Sequence, residues 1–189
     1  MLREGRSRPP VNAGSVPSRA PRIRTKKEIH RQRRSRHHQC WNHLIVAPLW
    51  PKHGVNLGTL LRTCDAVGAC LAVPRLPWVP EALRKGNTLR HRSCVHWIYG
   101  DVTDWLGKQR HGATHVIGVE LTDESIRLAD LPAARTRTVV VLGNEGSGIP
   151  AEAMEFLDTA VEIPMVGTGH SLNVAVAGSL VLYKVAGLL

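Results

Sequence analysis

Residues 138–150 read TVVVLGNEGSGIP, and this stretch decides the fold. It opens as a β-rich run, breaks into a glycine loop, and meets Pro150 where a helix is expected to begin. A loop so rich in glycine brings backbone close to something. Its G-x-x-G-x-G spacing is neither the dinucleotide fingerprint nor a P-loop, and it lacks the lysine of the latter. Glu145 is the one ionisable side chain in it. That carboxylate can orient a hydroxyl, balance a cation, or stand as a solvated turn residue.

Outward from this stretch the same alternation recurs. Upstream lie HLIVAPLW, NLGTLLRTCDAVGA, CLAVP, CVHWIY, DVTDWLGKQR and THVIGVEL; downstream lie PAEAMEFLD, AVEIPM and SLNVAVAGSLVLYKVAGLL. Short apolar runs between helical patterns predict an α/β fold with a mainly parallel sheet flanked by helices. Ligands of such sheets bind beyond the carboxyl ends of the strands. Three of those ends are chemically marked. Residues 39–189 carry no solenoid repeat and no internal boundary, so they read as one domain.

Charge divides the chain differently. Residues 1–38 hold twelve Lys and Arg against two acids, and residues 39–189 hold thirteen of each, so the net +10 lies wholly in the first segment. That segment is rich in Pro, Ser and Arg and poor in apolar residues; it is expected to be a disordered arm that neutralises phosphates without reading sequence. An organelle transit peptide is the minor alternative, opposed by the repeated prolines. Within the body, residues 39–110 carry nine basic and four acidic side chains and residues 111–189 carry four and nine. A polyanionic partner is therefore expected on the first half. No apolar run is long enough for a membrane span and no secretory signal opens the chain, which predicts a soluble, cytoplasmic protein.

The four cysteines, Cys40, Cys64, Cys70 and Cys94, form no C-x-x-C pair and read as reduced structural thiols. His91, Cys94 and His96 lie close together, but the second half of a zinc site is missing around them, so no metal is expected.

Two further strand ends are marked. In NLGTLLRTCDAVGA, Leu57, Leu60, Leu61, Cys64 and Val67 repeat at helical spacing, Asn56 stands where an N-cap belongs, and Gly68 ends the helix. Arg62 falls off the apolar stripe. It is either a surface residue paired weakly with Asp65 or a guanidinium fork for a phosphate. In AVEIPMVGTGHSLNVAVAGSLVLYKV a strand stops at Pro164, a glycine loop follows, and Ser171 is a candidate N-cap for the closing helix. Asn173, Ala175, Ala177, Gly178 and Ser179 leave that helix little bulk in its first turns, so another segment can approach closely.

Taken in order, N-x-G-x-x-x-R-T-C-D-A-x-G, V-L-G-N-E-G-x-G-I-P and I-P-M-x-G-x-x-x-S-L-N-V resemble the three motifs of the SpoU (TrmH) branch of the SPOUT methyltransferases, over residues 43–189. The resemblance implies a deep C-terminal trefoil knot, a fold that chain-crossing rules alone would reject. It implies a homodimer, S-adenosyl-L-methionine as cofactor, and methylation of a ribose 2′-hydroxyl of RNA, with tRNA slightly favoured over rRNA by analogy. Val119, Glu120, Leu142, Gly143, Asn144, Ile163, Met165, Ser171, Leu172 and Asn173 are expected to line the cofactor pocket. Arg62, Asn56, Glu145, Ser171 and Asn173 are the expected catalytic set. A guanidinium is a poor proton acceptor, so Arg62 is expected to anchor phosphate and ribose rather than act as base. RNA recognition is expected from the basic arm, the first-half surface and the dimer partner. The alternatives are a base methyltransferase of the same superfamily and a catalytically idle RNA-binding or assembly protein.

Overall fold

The computed structural model describes residues 24–25, 27–28, 40, 43–89, 94–110 and 112–189. His38–Leu189 is one unit of the chain and Met1–His37 another. In the latter, the Glu28 carboxylate accepts from the Thr25 amide (2.7 Å) and hydroxyl (3.0 Å), a local capping contact. Apart from residues 24–25 and 27–28, the expected disordered arm lies outside the described residues.

The larger unit is a seven-stranded, wholly parallel sheet in the order β3-β2-β1-β6-β4-β7-β5. Its strands are β1 (Leu44–Pro48), β2 (Cys70–Pro74), β3 (Val95–Ile98), β4 (His115–Val119), β5 (Ile126–Arg127), β6 (Thr138–Leu142) and β7 (Thr159–Glu162). All five residues of β1, β2 and β6 are buried, because helices cover both faces. Alternate side chains feed separate cores. Leu44, Val46, Val140 and Leu142 join one, while Ile45, Ala47, Val139 and Val141 join the other. Each fully buried Val, Leu or Ile contributes about 1.5–3 kcal/mol, so these three strands anchor the body.

On the first face pack α1 (Gly54–Val67), α2 (Val79–Gly86) and α5 (Val174–Val185); on the second pack α3 (Val102–Gln109) and the single turn α4 (Ala151–Met154). The stripe Leu57, Leu60, Leu61 and Cys64 of α1 is buried as its spacing predicts, and Gly68 closes the helix with φ +77°. A Cβ on Gly58 would stand 2.7 Å from the Gly86 Cα, so α1 and α2 meet backbone to backbone. Gly178 likewise lets α5 settle on Leu60 and Leu142, and the Thr63 and Ser179 hydroxyls bond across the contact at 2.7 Å. The small residues of α5 are thus explained by close packing. Asp101 caps α3 through the amides of Thr103 and Asp104.

Two expected caps are corrected. Asn56 lies inside α1 rather than before it; His53 occupies the N-cap position without a side-chain bond. The closing helix is capped by Asn173 and not by Ser171, its Oδ1 accepting from Ala175 (3.0 Å) and Val176 (3.2 Å). Pro150 does precede a helix, but that helix is only four residues long.

Candidate active site

The parallel arrangement brings the carboxyl ends of β4, β6 and β7 side by side, since Val119 is in register with both Leu142 and Val161. The loop after β6 is stiffly built. Asn144 and Gly148 exchange backbone hydrogen bonds of 2.8 and 3.0 Å, and Asn144 Oδ1 accepts from the amides of Gly146 and Ser147. Asn144 Nδ2 donates to the Trp50 carbonyl at 3.1 Å, fastening the loop to the chain after β1. Gly143 admits no side chain, because a Cβ there would lie 2.2 Å from the Gly148 carbonyl carbon.

Glu145 is far from a solvated turn residue. Its carboxylate accepts from the amides of Lys52 (2.9 Å) and His53 (3.1 Å) and from Asn56 Nδ2 (2.8 Å). These amides stand at the start of α1, where backbone donors lack intrahelical partners and the helix dipole favours an anion. Burial pushes the carboxyl pKa up, but the bonds from Asn56 and from the amides of Glu145, His53 and Lys52 outweigh it and hold the group below its ordinary value. The Asn56 oxygen in turn accepts from Asn173 Nδ2 at 3.0 Å. One chain of hydrogen bonds therefore joins Glu145, Asn56, Asn173 and the first turn of α5, and through them all three marked segments.

The remaining expected residues divide by place. Arg62 projects from the exposed side of α1 and, among the described residues, has no ion-pair or hydrogen-bond partner; the alternative pairing with Asp65 is not formed. Ser171 and Leu172 are exposed on the loop before α5 and lie outside the hydrogen-bond chain. Ile163 and Met165 follow β7 directly, and Val119 ends β4. Glu120 receives the Ile149 amide at 2.9 Å and so ties the β4 end to the β6 loop. Leu142 is a correction of another kind: its side chain is 1% exposed and belongs to the core, so only its backbone can reach a ligand. The loops nonetheless present Leu121, Met165, Val166 and Leu172 to solvent.

The roles of Lys52, His53 and Trp50 escaped the sequence reading because they act through backbone atoms, which leave no residue-type signal. A second omission lies at the opposite end of the sheet. The sulfurs of Cys40, Cys70 and Cys94 and a ring nitrogen of His96 all lie within 4.8 Å of one another. This corrects the view that the second half of a ligand set is missing: Cys40 and Cys70 bring it from elsewhere in the chain, while His91 is outside the described residues. Burial first, and the charge of Arg137 second, hold His96 below its ordinary pKa.

A parallel α/β sheet thus ends in a glycine loop beside a polar network that joins three separated segments of the chain. Residues 43–183 match the SpoU rRNA Methylase family, and the chain belongs to it. It is 34% identical over 148 residues to a mouse tRNA (guanosine(18)-2′-O)-methyltransferase, covering 75% of this chain and 9% of that protein. It is 30% identical over 136 residues to the 23S rRNA (guanosine(2553)-2′-O)-methyltransferase of Bacillus subtilis, covering 70% of this chain and 53% of that one. A solved AdoMet-bound rRNA methyltransferase from Sinorhizobium meliloti superposes with a TM-score of 0.66 at 26% identity, over 82% of this chain and 60% of the other. The chain thus spans only part of the length of these relatives.

Proposed function

We propose that this protein transfers the methyl group of S-adenosylmethionine to a ribose 2′-hydroxyl of RNA. The observation that carries the reading is the Glu145–Asn56–Asn173 hydrogen-bond chain, which holds the three motif segments together beside the carboxyl ends of β4, β6 and β7. The loops there fit the cofactor's chemistry. Exposed Leu121, Met165, Val166 and Leu172 offer apolar cover for an adenine, the backbone of 142–144 and 163–165 offers hydrogen bonds, and Glu120 offers a carboxylate. When bound, the cofactor supplies an electrophilic methyl group on a good leaving group.

The chain's own task is alignment. Orienting two reactants can lower such a barrier by about 7–11 kcal/mol. Asn56, Glu145 and Asn173 fix the loops, Ser171 offers a hydroxyl, and exposed Arg62 anchors phosphate and ribose with its fork of donors. The substrate class is tRNA or rRNA, in keeping with the names of the relatives. The basic residues 1–38 and the first half of the body add phosphate contacts.

A second copy of the chain completes the site in this reading. Val55 (75% exposed) on α1 and Val176 (48% exposed) on α5 are apolar surface that a monomer gains nothing by showing to water. The C-terminal segment closes as a trefoil knot, and the protein works in the cytoplasm; among the described residues no helix is long and apolar enough to cross a membrane.

The test is incubation with methyl-labelled S-adenosylmethionine and cellular tRNA and rRNA, followed by digestion to nucleosides. Label in a 2′-O-methyl nucleoside is expected. Label on a base, or none in either RNA with the cofactor shown to bind, overturns the reading.

A further inference from the structure

At the amino ends of the strands, remote from the site above, four metal-ligating side chains converge. Cys70 opens β2, Cys94 and His96 sit at and just inside the start of β3, and Cys40 precedes β1. The convergence follows from sheet register. Ala72 pairs with His96 and the Leu71 amide bonds to the Cys94 carbonyl, so Cys70 and Cys94 begin neighbouring strands. Residues two apart share a face, which puts Cys70, Cys94 and His96 on one side of the sheet. Cys40 then approaches from the chain before β1, its Sγ 3.6 Å from Cys70 Sγ and 3.3 Å from His96 Nε2; Cys94 Sγ is 3.4 Å from the same nitrogen.

These separations match the edges of a tetrahedral metal site. With Zn–S near 2.3 Å and Zn–N near 2.0–2.1 Å, neighbouring sulfurs stand about 3.8 Å apart and sulfur and nitrogen about 3.5 Å. A disulfide needs sulfurs at about 2.05 Å and joins only two of the four groups. Three thiols and an imidazole, with no carboxylate among them, are a soft donor set that suits zinc and not magnesium or calcium. Four protein ligands leave no open position for a reacting molecule, and the cluster is at the wrong end of the sheet for the chemistry.

We propose that Cys40, Cys70, Cys94 and His96 form a structural zinc site that clasps the chain before β1 to the edge strand β3. Two pieces of the unit gain from it. Among the described residues β3 has a neighbour on one side only, and Cys40 is exposed and stands outside the strands. A structural zinc contributes to folding outright, so the clasp supplies what short local contacts cannot.

The test uses the full chain, reduced and without a polyhistidine tag, loaded with Zn(II) or Co(II) and freed of excess metal. About one zinc per chain is expected, and cobalt should give the intense absorption of a tetrahedral thiolate centre. Cys40→Ser and His96→Ala should each weaken zinc binding by at least about tenfold, whereas Cys64→Ala, at a buried thiol outside the cluster, should keep it. The wild-type measurement stands even if a variant fails to fold. The proposal is overturned if the reduced wild-type chain takes up neither metal, if Cys40→Ser and His96→Ala retain zinc as well as wild type, or if the isolated protein carries a Cys40–Cys70 disulfide in place of metal.

Discussion

Removing the Glu145 carboxylate should loosen the junction of the β6 loop with α1, and the structure sets the size of the effect. Glu145→Ala deprives three donors of their acceptor: the Lys52 and His53 amides and Asn56 Nδ2. The first two residues are exposed, so water replaces most of what is lost, at about 0.5 kcal/mol each. Asn56 is only 6% exposed, and a buried donor without a partner costs about 1–3 kcal/mol. The sum is about 2–4 kcal/mol, or a fall of roughly 4–16 °C in Tm for a body of this size. Asn56→Ala removes the buried donor itself, so in that background Glu145→Ala should cost only about 1 kcal/mol. A double-mutant cycle by denaturant unfolding should therefore return a coupling of about 1–3 kcal/mol. Single-turnover methyl transfer should fall by roughly a hundredfold in either single variant, because a small displacement of the aligned loops is enough. Additivity within about 0.5 kcal/mol would show that the two side chains do not share the interaction, and the reasoning would fail.

Glu145 also sets a pH limit. Its pKa is held below the ordinary 4.5, so its stabilisation is complete above that value and is lost as pH falls through the depressed one. The Tm difference between wild type and Glu145→Gln should be constant from neutrality down to about pH 4.5 and shrink below it; a difference that grows on acidification contradicts the sign. Arg62→Ala should leave Tm within the change of about 0.5 kcal/mol usual for a surface site while lowering single-turnover methylation well beyond threefold; a rate within threefold of wild type removes the anchoring role. Gly143→Ala should cost about 2 kcal/mol or more, since the clash is with backbone that cannot rotate away, and calorimetry should find weakened S-adenosylmethionine binding. Deleting residues 1–38 should weaken RNA affinity and flatten its salt dependence with cofactor binding intact; unchanged RNA affinity at low and moderate salt refutes the arm.

Much of this architecture is legible in the amino-acid order. Uninterrupted apolar runs such as LIVAP and TVVVL become strands buried on both faces, the stripe through Leu57, Leu60, Leu61 and Cys64 becomes a core-facing helix, and Gly68 ends it. β5 was missed, because two residues are too few to show a period. The three marked segments could be picked out one by one, and their combination pointed to the family that the comparison confirms.

What the order of residues could not decide is which groups meet. Asn56 looks like an N-cap from its neighbours, yet it spends both ends of its amide on Glu145 and Asn173, 89 and 117 residues away. Ser171 and Asn173 are equally good caps by type, and the bond to Asn56 is what only Asn173 makes. Cys40 and His96 are 56 residues apart and share no metal-ligand spacing motif, but parallel strands in register bring the amino ends of β2 and β3 together beside Cys40. Local periodicity reports a side chain's face and its conformational preference, both properties of short segments. A hydrogen-bond network or a ligand set is a property of distances across the sheet, and strand order and register alone fix those.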